Sequence, residues 1–455
     1  MVAMGFAEVV MLALLGGGIN STDLVALVQP THYFQTRQID ATFDKLIELA
    51  GREPKDAKTQ IQQLVALRHL ADESDKLKKT ANYGAYRAVL EQIASGKKGA
   101  DPSAFAQDYA QRVLVKLDGS QREIPKLKPM RAEALSWFPD DLTFAAAADL
   151  RQTNMSGVDS FKDLVKLIPE RAKKEIYDFV EQTGNVRIEQ AAIGIADNGG
   201  QRDEMKIFMR FSGKGKQAWL VPALKKLGRD RVTEKTSKDD KGTPLTFLQD
   251  SDSPPIIMFL GDTDILIYGY SGNNAKHDKL TEEIFAARSG KKANAAAGTL
   301  KAPLGKIPDR SIAFAVGAIP SEMKREFRAF GVTPDRIIAF AERTQTGIDL
   351  QLQASMANGD DTKTFVQKVS ELRMQGIAGL QEAMKQPLPP GSPPVPFQAM
   401  INFLETLQVQ GQDNGAQVRA VVPDGLIQQM GTMGMMWFGM AREFEAPPPK
   451  DGGKK

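Results

Sequence analysis

The chain contains no cysteine in 455 residues, and only three histidines and three tryptophans. Without thiols it has no disulfides, no thiolate metal site and no cysteine nucleophile, and a long chain free of them suits a compartment where stray thiols are a hazard. Charge of one sign is missing as well. Lys and Arg number 59 against 56 Asp and Glu, a net charge of +3, and short basic runs such as Lys76-Leu77-Lys78-Lys79 do not add up to a field that would hold a polyanion. Nucleic acid is therefore not an expected partner. No apolar run reaches the ~20 residues needed to span a bilayer. The nearest, Val9 to Leu15 within residues 1–35, closes at Gly16-Gly17-Gly18, has no Lys or Arg before it and carries Glu8 at its edge. It reads equally as an export signal or as a packing helix, and membrane contact is expected nowhere else.

What is present is ordinary for a globular protein: 42% hydrophobic and 25% charged residues, enough chain for several cores. Residues 36–120 have helical periodicity. One helix runs through "DATFDKLIELAG" to Gly51. Pro54 opens the next, where Ile61, Leu64, Val65, Leu67 and Leu70 form a broad apolar stripe. A third helix carries Tyr83, Tyr86, Val89, Leu90 and Ile93, and a fourth starts at Asp101-Pro102 and places Phe105, Tyr109, Val113 and Leu117 on one face. The wording "LIELAGREPKDAKTQIQQLVALRHLAD" resembles a HEAT-type helical repeat, with Ala57, Leu64, Ala66, Leu67 and Leu70 at the small and leucine positions of its second helix. The resemblance implies a packing or protein-contact module with no chemistry of its own.

From residue 138 the texture changes to strands and helices. "FPDDLTFAAAADL" (138–150) is echoed by "IPDRSIAFAVGAI" (307–319), and "FVEQTGNVRIEQAAIGIA" (179–196) by "FAERTQTGIDLQLQASMA" (340–357). Two echoes in one order, about 165 residues apart, point to two related α+β domains with antiparallel sheets, 138–288 and 308–445. The stretch 289–307 has linker composition, helix is expected over 321–343, "PLPPGSPPVP" (387–396) is an exposed loop, and 446–455 is a disordered tail. Hairpins are expected around Gly261-Asp262 and Asn414-Gly415. The two Pro-Asp-strand openings and the closing "FLETLQVQGQDNGAQVRAVVPDGLIQQM" resemble a family of uncharacterised exported proteins from planctomycete-type bacteria. That resemblance implies an envelope or secreted protein, with the cytoplasm as the alternative.

No stretch assembles an active site. Gly96-Lys97, Gly215-Lys216 and Gly290-Lys291 lack both the first glycine and the Ser/Thr of a phosphate loop. "GYSGN" around Ser271 follows a strand, and His277 lies close behind. Asn273 stands where a nucleophile elbow needs glycine, so a hydrolase built on Ser271 is an alternative and a strand-ending turn the plainer reading. His32, His69 and His277 share no spacing, and Asp262 with Asp264 are too few acids for calcium. The adjacent acids Asp140-Asp141, Asp239-Asp240 and Asp360-Asp361 stand at element boundaries, where they cap helices or meet water. No catalytic, cofactor-binding or metal-ligating residue is assigned.

One segment stands apart. "MGTMGMMWFGM" (430–440) places Met430, Met433, Trp437 and Met440 in one sector of a helix with Leu426, and Met436 one turn from Met433. Burial as an interior strut is the first reading, because flexible thioethers fill irregular gaps. A protein or membrane contact is the second, and a Cu(I) site the third. Taken together, the sequence describes a non-enzymatic structural or protein-interaction protein whose partner contact runs through the helical module or this methionine helix.

Overall fold

The structure, a computed structural model, describes residues 30–96, 104–119, 133–149, 170–184, 187–197, 205–227, 232–239, 242–250, 253–270, 277–319, 331–344, 347–386, 397–423 and 426. Six helices open it: α1 (Pro30–Thr36), α2 (Phe43–Gly51), α3 (Ala57–Asp72), α4 (Ser74–Leu77), α5 (Tyr83–Ala94) and α6 (Ala104–Asp118). Helix α3 starts later than Pro54 because Asp56 caps it. The Thr59 N–H donates to Asp56 Oδ1 at 2.7 Å while the Asp56 N–H donates to Thr59 Oγ1 at 3.1 Å, which satisfies two otherwise orphaned donors.

The apolar stripe of α3 is buried as its spacing demands. Ile61, Leu64, Leu67 and Leu70 pack with Leu46, Leu90, Ile93 and Val113 in one cluster. Tyr33 and Phe34 of α1 are buried in the same cluster, so the helical part begins before residue 36. A seventh helix, α7 (Glu170–Thr183), closes it from the far side with Tyr177 and Val180. Each large side chain so buried contributes roughly 1.5–3 kcal/mol.

The rest is built on a single antiparallel sheet. Its strands are β1 (Phe144–Asp149), β2 (Arg187–Ala196), β3 (Lys206–Lys214), β4 (Val232–Lys238), β5 (Pro244–Asp250), β6 (Ser253–Leu260), β7 (Asp264–Tyr270), β8 (Ser311–Ala318), β9 (Arg336–Arg343), β10 (Gly347–Ser355), β11 (Gln408–Gln412) and β12 (Gly415–Pro423). Between them lie α8 (Gln217–Leu227), α9 (His277–Arg288), α10 (Lys301–Leu304), α11 (Gly359–Lys385) and α12 (Phe397–Thr406). The fold is thus α+β with a helical N-terminal part.

All 12 strands join in the order β11-β12-β10-β9-β8-β1-β2-β3-β7-β6-β5-β4. Counted outward from the β1–β8 seam, β2-β3-β7-β6 on one side matches β9-β10-β12-β11 on the other, each set ending in a hairpin. Alternation sets the faces. Phe208, Leu266, Tyr268, Phe314 and Val316 share one core with Trp137, Phe138 and α9, while Phe211, Ile257 and Ile267 face α8 in a second. A third core lies under α11, where Phe365 packs with Ala354, Met356 and Ala416.

Three expectations meet different facts. The 289–307 stretch packs into the sheet: Ala295, Leu300, Leu304 and Ile307 are buried, and Pro139 bridges Asn294. Gly298 lets the backbone approach Asp140 closely, and small residues of this kind read as looseness from composition alone. The expected helix over 321–343 ends in strand β9, whose Ile337, Ile338 and Phe340 find partners on both sides, so sheet pairing overrides helical periodicity. Finally, the echo that sets 179–196 on 340–357 places β2 on β10, whereas β2 occupies the sheet position that β9 occupies. That echo follows turn chemistry common to hairpins. The hairpin turn before β12 falls on Asp413 and Asn414, with Asp413 at a φ of 50°.

Candidate functional site

The polar side chains that a chemistry-bearing reading would need are engaged with one another. Arg210 points from β3 into the core beside Trp137. Its guanidinium donates to Asp264 Oδ1 at 2.9 and 3.1 Å and also to the Glu133 carbonyl. Arg288 of α9 lies against the same indole: the two guanidinium carbons sit 4.9 and 4.7 Å from the ring centre. Arg288 is paired in turn with Asp239 at 2.8 Å, whose side chain is 2% exposed. Each cation meets its own carboxylate around a shared aromatic wall, which makes this a structural cluster.

Lys206 is the other buried cation. Burial works against its charge, but hydrogen bonds from Nζ to Asp141 at 2.7 Å and Glu283 at 2.8 Å outweigh it, and its pKa is raised. An amine held protonated in this way does not act as a nucleophile. Tyr268 shares a 2.7 Å hydrogen bond with Thr281, and burial pushes its pKa up to about 12. In the helical part, Tyr33 and Arg37 both donate to Glu181, at 2.9 and 3.0 Å, and tie α1 to α7.

The acids singled out from sequence serve turns and pairs. Asp262 accepts from the Gln217 N–H at 2.7 Å and so caps α8; Asp264 holds Arg210. Asp141 holds Lys206, Asp239 holds Arg288, Asp360 holds Lys363, and Asn358 caps α11 through the Asp361 N–H. Among the described residues no three acidic or imidazole side chains converge on one point. His69 lies in α3 edge-on to Phe34 at 5.9 Å, and burial lowers its pKa. His32 of α1 lies near the Tyr177 ring. Ser271 and the side chain of His277 lie outside the described residues, as do Met430, Met433, Met436, Trp437 and Met440. A small pocket beside the start of α8 is lined by Ile188, Phe211, Leu220, Phe259 and Asp262. Of the two carboxylates that line it, Asp262 is engaged in the helix cap and Asp264 with Arg210.

Exposed apolar surface is distributed very differently. Among the described residues the large hydrophobic side chains standing in solvent are Leu350, Leu372, Met374 and Met384, all from β10 to the end of α11. Helix α11 is 27 residues long and lies over β11 and β12, where Phe365, Val366 and Val369 meet the sheet. Arg373 donates to the Glu405 carbonyl and Leu404 sits against Gly376, so beyond that point α11 continues paired with α12. On this second half Met374, Ile377, Gln381 and Met384 recur at spacings of three and four, a helical seam with Met374 63% and Met384 47% exposed. The signal for this seam in the sequence is its three-four spacing, which is weaker than that of the methionine-rich segment after residue 426.

No helix among the described residues is long and apolar enough to cross a membrane. No protein-family model matches the chain, and no curated protein matches it. Two solved structures are similar to it in outline, crystal forms III and I of TP0453, at 8% and 9% identity. They cover 66% of this chain and 98% and 96% of their own, with TM-scores of 0.32 and 0.28, a likeness too slight to carry an argument about function.

Proposed function

We propose that this chain is a non-enzymatic structural or protein-interaction protein of the bacterial cell envelope, and that it meets its partner through the paired helices α11 and α12. The observation that carries the reading is the placement of exposed apolar side chains. Leu372, Met374 and Met384 stand on one helix, whereas among the described residues the seven-helix cluster and the β1–β7 side of the sheet keep their large hydrophobic side chains covered. Methionine suits such a surface, since its flexible thioether adapts to a partner's shape.

The envelope assignment rests on the cysteine-free composition, the apolar N-terminal run and the resemblance to exported planctomycete-type proteins. In the same reading the HEAT-like module packs against α7 as a brace. The two sides of the sheet are taken as copies of one ancestral unit, a view supported by their matching strand order.

The test is a double substitution, Met374→Lys with Met384→Lys, in the full chain. Both positions are exposed, so the fold is expected to survive, as circular dichroism checks. The wild-type chain should recover a partner by cross-linking in envelope fractions, and the variant should lose it. Recovery of the same partner by both chains, or a chain found wholly in the cytosol, overturns the reading.

A further inference from the structure

The two ends of the sheet are built in opposite ways. At one end β4 runs "VTEKTSK", with Glu234, Lys235 and Lys238 exposed, and charges of this kind block another strand from pairing. At the other end β11 runs "QVQGQ", with no charge, no proline and no bulge in its register with β12. Among the described residues nothing pairs with its outer side.

The strand order sharpens the contrast. Counted from the β1–β8 seam, β6 and β11 hold the same position, fifth on each side. Behind β6 the sheet continues with the β5–β4 hairpin, whereas behind β11 it stops.

We propose that β11 pairs antiparallel with β11 of a second copy of this chain, about a twofold axis at Gln410, joining two sheets edge to edge. The strand reads alike in both directions at alternate positions, so Gln410 meets Gln410, Gln408 meets Gln412, and Val409 meets Gly411, a branched side chain against none. The amides then extend a row that already exists, since Gln410 lies opposite Gln417 and Gln417 opposite Gln353. Helix α11 backs the strand, with Thr362 and Val366 against Gly411. An isologous contact of this kind closes at two copies.

Analytical ultracentrifugation of the full chain reads the result. The weight-average mass is expected to climb from 49.8 kDa towards twice that value as concentration rises to roughly 100 μM. Gln410→Lys sets two like charges face to face and should raise the dissociation constant at least tenfold, about 1.4 kcal/mol or more, with melting at low concentration unchanged. In this cysteine-free chain Gln410→Cys supplies a lone thiol that should yield a covalent dimer on mild oxidation, while Lys235→Cys on β4 should not. A wild-type chain that stays monomeric throughout, or a dimer that Gln410→Lys leaves intact and Gln410→Cys does not cross-link, overturns the proposal.

Discussion

Ala146 and Ala315 face each other across the β1–β8 seam, and they are also the residues that coincide when Pro139 is laid on Pro308. The neighbouring pairs obey the same relation. Phe144 lies opposite Gly317 and Ala148 opposite Ala313, and the echo equates Phe144 with Ala313 and Ala148 with Gly317. Under the proposed duplication this register is symmetric about the two alanines, as at the interface of a symmetric dimer. The proposed pairing of β11 strands repeats that geometry at the sheet's outer edge.

Gly317 is the most constrained residue on the seam. Its φ is 127°, and a side chain there would collide with the Thr143 carbonyl and the Phe144 backbone. Gly317→Ala is expected to lower stability by more than about 2 kcal/mol in urea melts, through strain and loss of register. Ala313→Gly, on the same strand at the β8–β9 register shift, should lose at most about 1 kcal/mol.

The Trp137 cluster predicts an asymmetry. Arg288→Ala removes the cationic partner of Asp239, which is 2% exposed and keeps the Thr243 N–H at 2.7 Å. It should cost about 2 kcal/mol or more, because a carboxylate with a 2% exposed side chain loses the guanidinium paired with it, and the Trp137 ring loses one of its two cations. Lys363→Ala breaks a pair exposed on both sides, 81% and 90%, and should cost well under about 1 kcal/mol. Chemical denaturation of the two variants at neutral pH gives the comparison.

Much of this architecture was legible beforehand, and the exceptions have physical causes. The α3 stripe, the β6–β7 hairpin and the β11–β12 hairpin follow from periodicity and turn residues, which act locally. Strand β4 leaves no strand signal in the sequence, because "VTEKTSK" carries the charges of a sheet edge and no apolar alternation. The union of both halves in one sheet depends on the β1–β8 contact, a pairing between distant segments that no local pattern records. Of the candidate surface, Asp360-Asp361 marks an element boundary in the sequence, but which face of α11 lies open is decided by where α12 and the sheet sit.

His69 should give the protein an acid-side slope in stability. Burial lowers its pKa in the folded chain, so the unfolded chain binds the proton more readily. Its contribution is fully present above the unfolded value of about 6.5 and is lost as pH falls below it. His69→Gln should flatten the dependence of stability on pH between roughly 7.5 and 5.5, measured by urea melts at closely spaced pH. An unchanged slope would assign that dependence to other groups.

Gly184 tests whether the helical part and the sheet unfold as one unit. It ends α7 at a φ of 67°, its carbonyl accepts from Gln60 Nε2 at 2.8 Å, and a Cβ there would enter the Trp219 ring of α8 and lie 3.2 Å from the Ala57 side chain. Three elements thus meet over one missing side chain: α3, α7 and α8. Gly184→Ala forces Trp219 away and strains the helix end, at about 2 kcal/mol or more. Because the loss falls on the joint, the separate cores around Leu67 and Phe208 keep their own packing. Calorimetry should therefore show a single transition in the wild-type chain dividing into two in the variant, with Trp219 becoming accessible to an aqueous quencher in the earlier one. A single transition merely moved to lower temperature would mean that the two parts are held together by more than this contact.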